Sequence, residues 1–146
     1  MPEFLWRKAQ PSDLTKVEGL LTAAHLPLEG VRDHLAHFWL VFDGQTLIAC
    51  AGIEPYGEVG LLRSVAVDQS HRGEGLGQAL VNRVLQESAA GGMKQVALLT
   101  TTAAEYFPRW GFQVVGREDL PDSLHQSAEF QGACPDSAVA LLLELA

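Results

Sequence analysis

Apolar residues recur every three or four positions in two stretches of the chain, which predicts two amphipathic helices. The first helix follows Ser12, a residue type that often caps helices, and Asp13, whose charge suits a first turn. The second helix runs through about Ala90, where two glycines end it. Two shorter helices are predicted at residues 31–37 and 103–110. The apolar positions are Leu14, Val17, Leu20 and Leu21 in the first long helix, and Leu76, Leu80, Val84 and Leu85 in the second.

Shorter apolar runs, separated by turn residues, predict the strands of a sheet. Asp43-Gly44 between two of these runs is a strong hairpin signal. A meander over residues 38–67, followed by a crossing helix, predicts a mixed sheet and argues against an all-parallel doubly wound one. The predicted strands cover residues 4–9, 38–42, 46–55, 59–67, 95–101, 111–116 and 138–145.

Composition narrows the class of protein. The chain has 146 residues, of which 47% are apolar and 19% charged, which fits one globular domain over residues 1–146. A net charge of −8 argues against a nucleic-acid partner. No apolar run is long enough to cross a bilayer and the first residues show no signal peptide, so we expect a cytoplasmic protein without a membrane partner. Cys50 and Cys134 are expected to be reduced thiols, and the histidines have no metal-ligand spacing.

The sequence "HRGEGLGQAL", residues 71–80, combines alternating glycines with the start of the second long helix. Glycines allow positive φ, so successive backbone N–H groups can turn toward one anion at the positive end of the helix. A phosphate or diphosphate suits such a cradle, to which Arg72 would add a salt link. A P-loop is excluded because no Gly-Lys-Ser/Thr follows, and the position after a meander disfavours NAD. A purely structural turn before the helix is the alternative.

With strand, loop and helix assembled, "LLRSVAVDQSHRGEGLGQALVNRVL" resembles motif A of the GNAT superfamily of acyl-CoA-dependent N-acyltransferases. Arg72, Gly75 and Gly77 fit its signature, Arg/Gln-x-x-Gly-x-Gly/Ala. "AAEYFPRWGF" resembles the second signature of the family, and together the two cover residues 61–112. The resemblance implies a single-domain α/β (α+β) fold, with a mixed, mostly antiparallel sheet that is splayed at its centre and has helices on both faces.

The resemblance also implies acetyl-CoA as cosubstrate, and the spacing of the cysteines and histidines predicts no metal. The diphosphate would lie on the loop amides, and the pantetheine would run beside the open edge of the fourth strand. The implied coenzyme contacts are Val65, Ala66 and Val67 on that strand, Arg72, Gly73, Glu74, Gly75, Leu76, Gly77 and Gln78 in the loop, and Phe107.

Two narrower likenesses concern the substrate. "LLTTTAAEYFPRWGF" and a Ser-containing last strand resemble the acetyltransferase domain of N-acetylglutamate synthases. "GLLRSVAV", "LLTTTAAEYF" and "EFQGACPDSAV" are similar to a branch of arsenic-resistance N-acetyltransferases, related to enzymes that acetylate organoarsenical or phosphinic amino acids. Pro135, ahead of Ser137, stands where the synthases tend to have an arginine, which argues against glutamate itself.

The catalytic positions depart from the family pattern. Many GNAT enzymes have a tyrosine, the general acid for the thiolate, where this chain has Phe107. Tyr106 is one residue earlier and is either that acid or a core aromatic. Leu61 stands where a strand glutamate often activates the amine, and Glu54 on the neighbouring strand is the candidate base, or else a rim carboxylate without a role.

Acceptor-side residues are predicted on two strands. Arg63 is on the same strand face as Val65 and could hold a substrate carboxylate, phosphonate or arsonate as a bidentate pair. The alternative role for Arg63 is a structural ion pair with Glu54 or Glu58. Thr101 could bond the substrate, and Thr102 is expected to cap the helix at 103–110.

These observations predict an N-acetyltransferase that acts on the primary amine of a small, anionic, amino-acid-like substrate. An N–H of Val65 or Val67 is the expected oxyanion donor. Acetylation of a protein N-terminus or lysine, and a catalytically idle acyl-CoA-binding module, are the alternatives. The apolar last strand permits a homodimer.

Overall fold

A single seven-stranded sheet organises the molecule, in the strand order β1-β2-β3-β4-β5-β7-β6. The computed structural model describes residues 4–134 and 137–145. All neighbouring strands are antiparallel except β4 and β5, which are parallel. This arrangement confirms the predicted mixed, mostly antiparallel sheet. The strands are β1 Leu5–Lys8, β2 Phe38–Asp43, β3 Thr46–Tyr56, β4 Val59–Val67, β5 Gln95–Thr100, β6 Gln113–Val115 and β7 Val139–Glu144.

Helices cover both faces of the sheet. The α-helices are α1 Leu14–Ala23, α2 Val31–His34 and α3 Leu76–Ala90. The inward residues of α3 pack with one set of strand side chains, which includes Ile53 and Leu62. Those of α1 and α2 pack with another set, which includes Leu40 and Cys50. Because alternate side chains of a strand point to opposite faces, these two cores lie on the two sides of the sheet.

The start of α1 differs from the prediction. Ser12 is exposed in a 3₁₀ turn, Pro11–Asp13, and Asp13 is buried instead. The Asp13 carboxylate accepts the Gln10 N–H at 2.7 Å and both Nη groups of Arg7 at 2.7 and 2.9 Å. These bonds hold the pKa of Asp13 below its usual value, the bond from Arg7 having the largest effect and burial opposing it. Because Arg7 on β1 pairs with Asp13, the Asp13 side chain and not that of Ser12 forms the hydrogen bonds at the start of α1.

The segment predicted as a helix over residues 103–110 is shorter in the structure. Turns precede a 3₁₀ helix of one turn, Phe107–Trp110, and Gly111 with φ +99° ends it. Proline at the second position of that turn removes a backbone donor, which favours a short element. The last strand likewise starts at Val139, so Ser137 precedes it.

The sheet opens between its two parallel strands. Only Val59–Leu61 of β4 pair with β5, opposite residues 95–97. Beyond this point the β4 edge that faces β5 has no strand partner among the described residues. On the other side β4 carries a bulge, because neither Ser64 nor Val65 is paired with a residue of β3. Ser64 has φ +59°, an uncommon value for a residue other than glycine.

No helix within residues 4–134 and 137–145 is both long and apolar enough to cross a membrane. The predicted cytoplasmic location and the homodimer stay predictions.

Candidate active site

Residues 72–78, which are the loop before α3 and the first three residues of that helix, expose a run of unused backbone donors; we call this segment the coenzyme loop. No backbone or side-chain acceptor of the described residues takes a hydrogen bond from the N–H groups of Gly73 through Gln78. The first internal bond of the helix is donated by Ala79 to Gly75, at 3.0 Å. Unpaired N–H groups at a helix start form an anion site, because the helix dipole adds to their partial charges.

Two left-handed glycines shape the coenzyme loop. Gly73 has φ +85° and Gly75 has φ +82°, and a Cβ at either would meet nothing within 4 Å. The glycines are thus required by backbone conformation and not by crowding within the protein. The Leu76 side chain is buried in the core, so this residue offers an anion only its N–H, while Glu74 and Gln78 are exposed.

A cleft continues from the loop into the opening between β4 and β5. It is lined by Val65, Ala66 and Val67 from β4, with Arg72 at its mouth. Arg72 donates from Nε to the Val67 carbonyl at 3.2 Å, which joins the coenzyme loop to the end of β4. The structure therefore brings the predicted strand and loop contacts to one cleft.

Tyr106 and Phe107 both line this cleft but differ in burial. The Phe107 side chain is in the core with Phe112, whereas Tyr106 is half-buried and packs at the edge of that core. A Cβ added to Gly77 would lie 3.4 Å from the Tyr106 hydroxyl, so the phenol reaches the start of α3. Burial raises the pKa of Tyr106, with the Arg109 charge opposing the change.

Beyond the cleft, Arg63 anchors a buried network of hydrogen bonds. Its Nη1 donates to Glu54 Oε2 at 2.6 Å and to the Glu29 carbonyl at 2.7 Å. Its Nη2 donates to the Pro27 carbonyl at 3.1 Å, and its Nε donates to Ser64 Oγ at 3.0 Å. A guanidinium has five N–H donors, so one Nη2 hydrogen remains without an acceptor in the described part of the chain.

Glu54 therefore does not lie at the rim of the site. It is 0% exposed, lines neither the coenzyme cleft nor the pocket beyond it, and forms the ion pair with Arg63 that the sequence left open as an alternative. Burial raises its pKa, but hydrogen bonds from Tyr56, Arg63 and Ser127 outweigh burial and place the pKa below the usual value. Burial, and then the hydrogen bond to Glu54 with its negative charge, raise the pKa of Tyr56 to about 12. A carboxylate held in this way is a weak base.

Sequence reasoning missed Glu129, a second buried carboxylate near Arg63. Its Oε2 lies 3.6 Å from Arg63 Nε, and Oε1 has no hydrogen-bond partner among the described residues. Burial raises the pKa of Glu129 to about 7, with Arg63 opposing and Glu54 adding to the rise. The residue stands in an irregular helical turn, Glu129–Ala133, without apolar periodicity, so no sequence signal marked it. We call Arg63, Glu54, Tyr56 and Glu129 the Arg63 cluster.

A second pocket adjoins the coenzyme cleft on the side of the Arg63 cluster. It is lined by Arg63, Thr101, Glu129 and Cys134, among others. It shares with the cleft a set of residues that includes Ser64 and marks where the two spaces meet: Leu26, Arg63, Ser64, Leu99, Thr100 and Thr102. The predicted acceptor residues Arg63 and Thr101 thus lie beside one pocket.

The neighbouring threonines differ in one respect from the prediction. The Ala103 N–H donates to Thr100 Oγ1 at 3.0 Å, so Thr100 and not Thr102 holds this turn. Cys50 and Cys134 are both free, as expected, and both are buried.

Within residues 4–134 and 137–145 no group of three or more metal-ligating side chains occurs. Pro135 lies outside the described residues.

The sequence of the chain is similar to those of curated bacterial proteins. The chain is 30% identical over 96 residues to the amino-acid acetyltransferase of Escherichia coli K12, and 34% identical over 95 residues to that of Azotobacter vinelandii. Each match covers 64% of this chain but only 22% of the relative, so the chain spans about a fifth of the length of these curated proteins.

Solved structures show the same fold. N-acetylglutamate synthase from Neisseria gonorrhoeae, complexed with coenzyme A and N-acetylglutamate, matches with TM-score 0.83 and 19% identity, over 100% of this chain and 36% of that one. A GNAT-family acetyltransferase from Staphylococcus aureus matches with TM-score 0.81 and 17% identity, over 99% and 100% of the two chains. The sequence model described as acetyltransferase (GNAT) domain matches residues 34–114, more than half of the chain. The chain therefore belongs to the GNAT acetyltransferase family.

Proposed function

We propose that residues 1–146 form one acetyltransferase domain, which transfers acetyl from acetyl-CoA to the primary amine of a small, anionic, amino-acid-like compound. The observation that supports this most is the unused run of N–H donors from Gly73 to Gln78, which opens directly into the cleft between β4 and β5. An anion-binding loop and an open strand edge in one cleft suit a long ligand with a diphosphate at one end.

Acetyl-CoA fits these residues. The diphosphate would accept hydrogen bonds from the coenzyme-loop amides, and Arg72 at the mouth of the cleft would add its charge. The amide groups of the pantetheine would pair with the free edge of β4 at Val65–Val67, as an added strand pairs with a sheet edge. This docking brings the thioester toward the junction of the two pockets, where Ser64 and Val65 are not paired with β3.

Acetyl transfer needs an oxyanion donor and a proton for the leaving thiolate. We assign the first role to a β4 N–H, of Val65 in the bulge or of Val67, because backbone donors held in place by the fold need no rearrangement as charge develops. We assign the second to Tyr106, whose hydroxyl is at the start of α3, while Phe107 contributes apolar packing only.

The acceptor would occupy the second pocket. The Arg63 side chain is 0% exposed, so its remaining Nη2 hydrogen would reach a substrate anion only after the contacts around the guanidinium open locally. That contact would be a single bond in place of the bidentate pair suggested by the sequence. Thr101 offers a hydroxyl in the same pocket. The similarity to amino-acid acetyltransferases supports an amino-acid-like acceptor, and organoarsenical and phosphinic amino acids fit the same description.

Thiol release with a panel of amines, together with calorimetry, tests this proposal. We expect CoA to bind, and anionic amino acids, including phosphinic and organoarsenical ones, to release more thiol than basic peptides. Tyr106→Phe should lower kcat by about tenfold to a hundredfold and leave the CoA affinity unchanged, because the lost hydroxyl acts on the leaving group. Faster turnover of peptides would show a protein acetyltransferase, and tight CoA binding without turnover of any amine would show an idle module.

A further inference from the structure

Glu129 combines deep burial with an unsatisfied carboxylate oxygen. Its residue surface is 4% exposed, and Oε1 has no hydrogen-bond partner in residues 4–134 and 137–145. The Glu129 N–H donates to Ser127 Oγ at 3.2 Å, which fixes the start of the turn that carries the side chain. A buried carboxylate oxygen without a donor is unfavourable, so natural proteins keep one chiefly where it has a role.

The position of Glu129 is at the acceptor side of the site. It lines the second pocket together with Arg63, Ser64, Leu99 and Thr100, all four of which also line the coenzyme cleft. A primary amine that enters this pocket to meet a thioester on β4 therefore passes beside the Glu129 carboxylate.

The charges around Glu129 come from several elements. They are Arg63 on β4, Glu54 on β3 and Glu29 in the segment before α2; the neutral Cys134 thiol adds a hydrogen bond that lowers the pKa of Glu129. Two buried carboxylates thus share one buried guanidinium, and Glu54 has the short contact with it, 2.6 Å against 3.6 Å for Glu129. Glu54 is held as the anion, and Glu129 is left free to exchange a proton near neutral pH.

We propose that Glu129 is the general base of the acetyl transfer, an inference that rests on the proposed function. Its carboxylate takes one proton from the acceptor ammonium and becomes a carboxylic acid. The freed nitrogen pair attacks the thioester carbon, the C–N bond forms, the C–S bond breaks and its electron pair leaves on sulfur. The nitrogen then loses its second proton to water, and the Tyr106 phenolate, which has given its own proton to the thiolate, takes one back from water. Glu129 returns its proton to water.

The test compares the pH profiles of kcat/KM for the full chain and for Glu129→Gln, with an amine that the panel shows to be accepted. In the wild type, activity should rise tenfold per pH unit up to about 7 and then level off, because the carboxylate must be ionised and the pKa of Glu129 is about 7. Glu129→Gln should lose about a hundredfold to ten-thousandfold near pH 7.5. Its activity should keep rising to the pKa of the free amine, because only the unprotonated amine can then react.

The matched control is Glu58→Gln, which removes the same charge from an exposed pair with Lys94 in the β3–β4 turn. It should keep the wild-type profile. A ¹³C titration of the Glu129 carboxyl in the protein without substrate should show a midpoint near 7. If the wild type turns over amines but Glu129→Gln keeps the levelling near pH 7, the inference alone fails. If no amine is acetylated, the proposed function and the inference fail together.

Discussion

The coenzyme loop and the Arg63 cluster lie at the two ends of one continuous cleft and handle charge in opposite ways. The loop is exposed and offers an anion neutral N–H groups, which cost little while unpaired because water reaches them. The cluster buries a cation and two carboxylates, so each of its charges must be matched inside the protein. The loop can therefore change without loss of the fold, whereas the cluster is both a site and a part of the core.

This difference predicts that the largest effect on stability comes from the cluster. Glu54→Ala would leave Arg63 buried with only the more distant Glu129, so we expect the free energy of unfolding to fall by about 3–5 kcal/mol. The matched control is Glu58→Ala, whose partner Lys94 is 69% exposed and which should lose less than about 1 kcal/mol. Urea unfolding measures both. Equal losses would show that the Arg63 pair stabilises the fold no more than a surface pair does.

The same contrast explains what could be read from the sequence. The coenzyme loop is local: glycines, a strand before them and an amphipathic helix after them suffice to predict a row of free amides. The meander and the crossing helix likewise follow from runs of apolar residues, and both were confirmed.

The Arg63 cluster is not local, because β3, β4 and the turn at Glu129 each contribute one of its charges. Sequence could propose an Arg63–Glu54 pair from neighbouring strands, but no periodicity marks Glu129 in its irregular turn. The error at Ser12 has the same origin. The buried Asp13 owes its place to Arg7 on β1, a contact that helix propensity does not describe.

A medium effect is expected at the mouth of the cleft. Arg72→Ala should weaken CoA binding by about tenfold, or about 1.4 kcal/mol, because an exposed guanidinium adds one charge-assisted contact to those of the amides. Stability should not change. Calorimetry at low and high salt measures the loss, which should shrink as salt screens the charge. The control is Arg32→Ala, an exposed arginine of α2 that does not line the cleft. Equal affinities for the two variants would mean that Arg72 only ties the loop to Val67.

The smallest effect concerns the backbone of the coenzyme loop. Gly75→Ala places a Cβ in empty space but at φ +82°, so strain alone should lower stability by about 1 kcal/mol. Gly19→Ala provides the matched control, because a Cβ there also meets nothing within 4 Å but the residue lies inside α1. It should raise stability by about 0.5–1 kcal/mol, since alanine favours a helix. Opposite signs in thermal or urea unfolding would show that the loop needs a left-handed residue at this position. If both substitutions stabilise the protein, the loop tolerates another backbone path, and the row of donors from Gly73 to Gln78 is not fixed in the protein without a ligand.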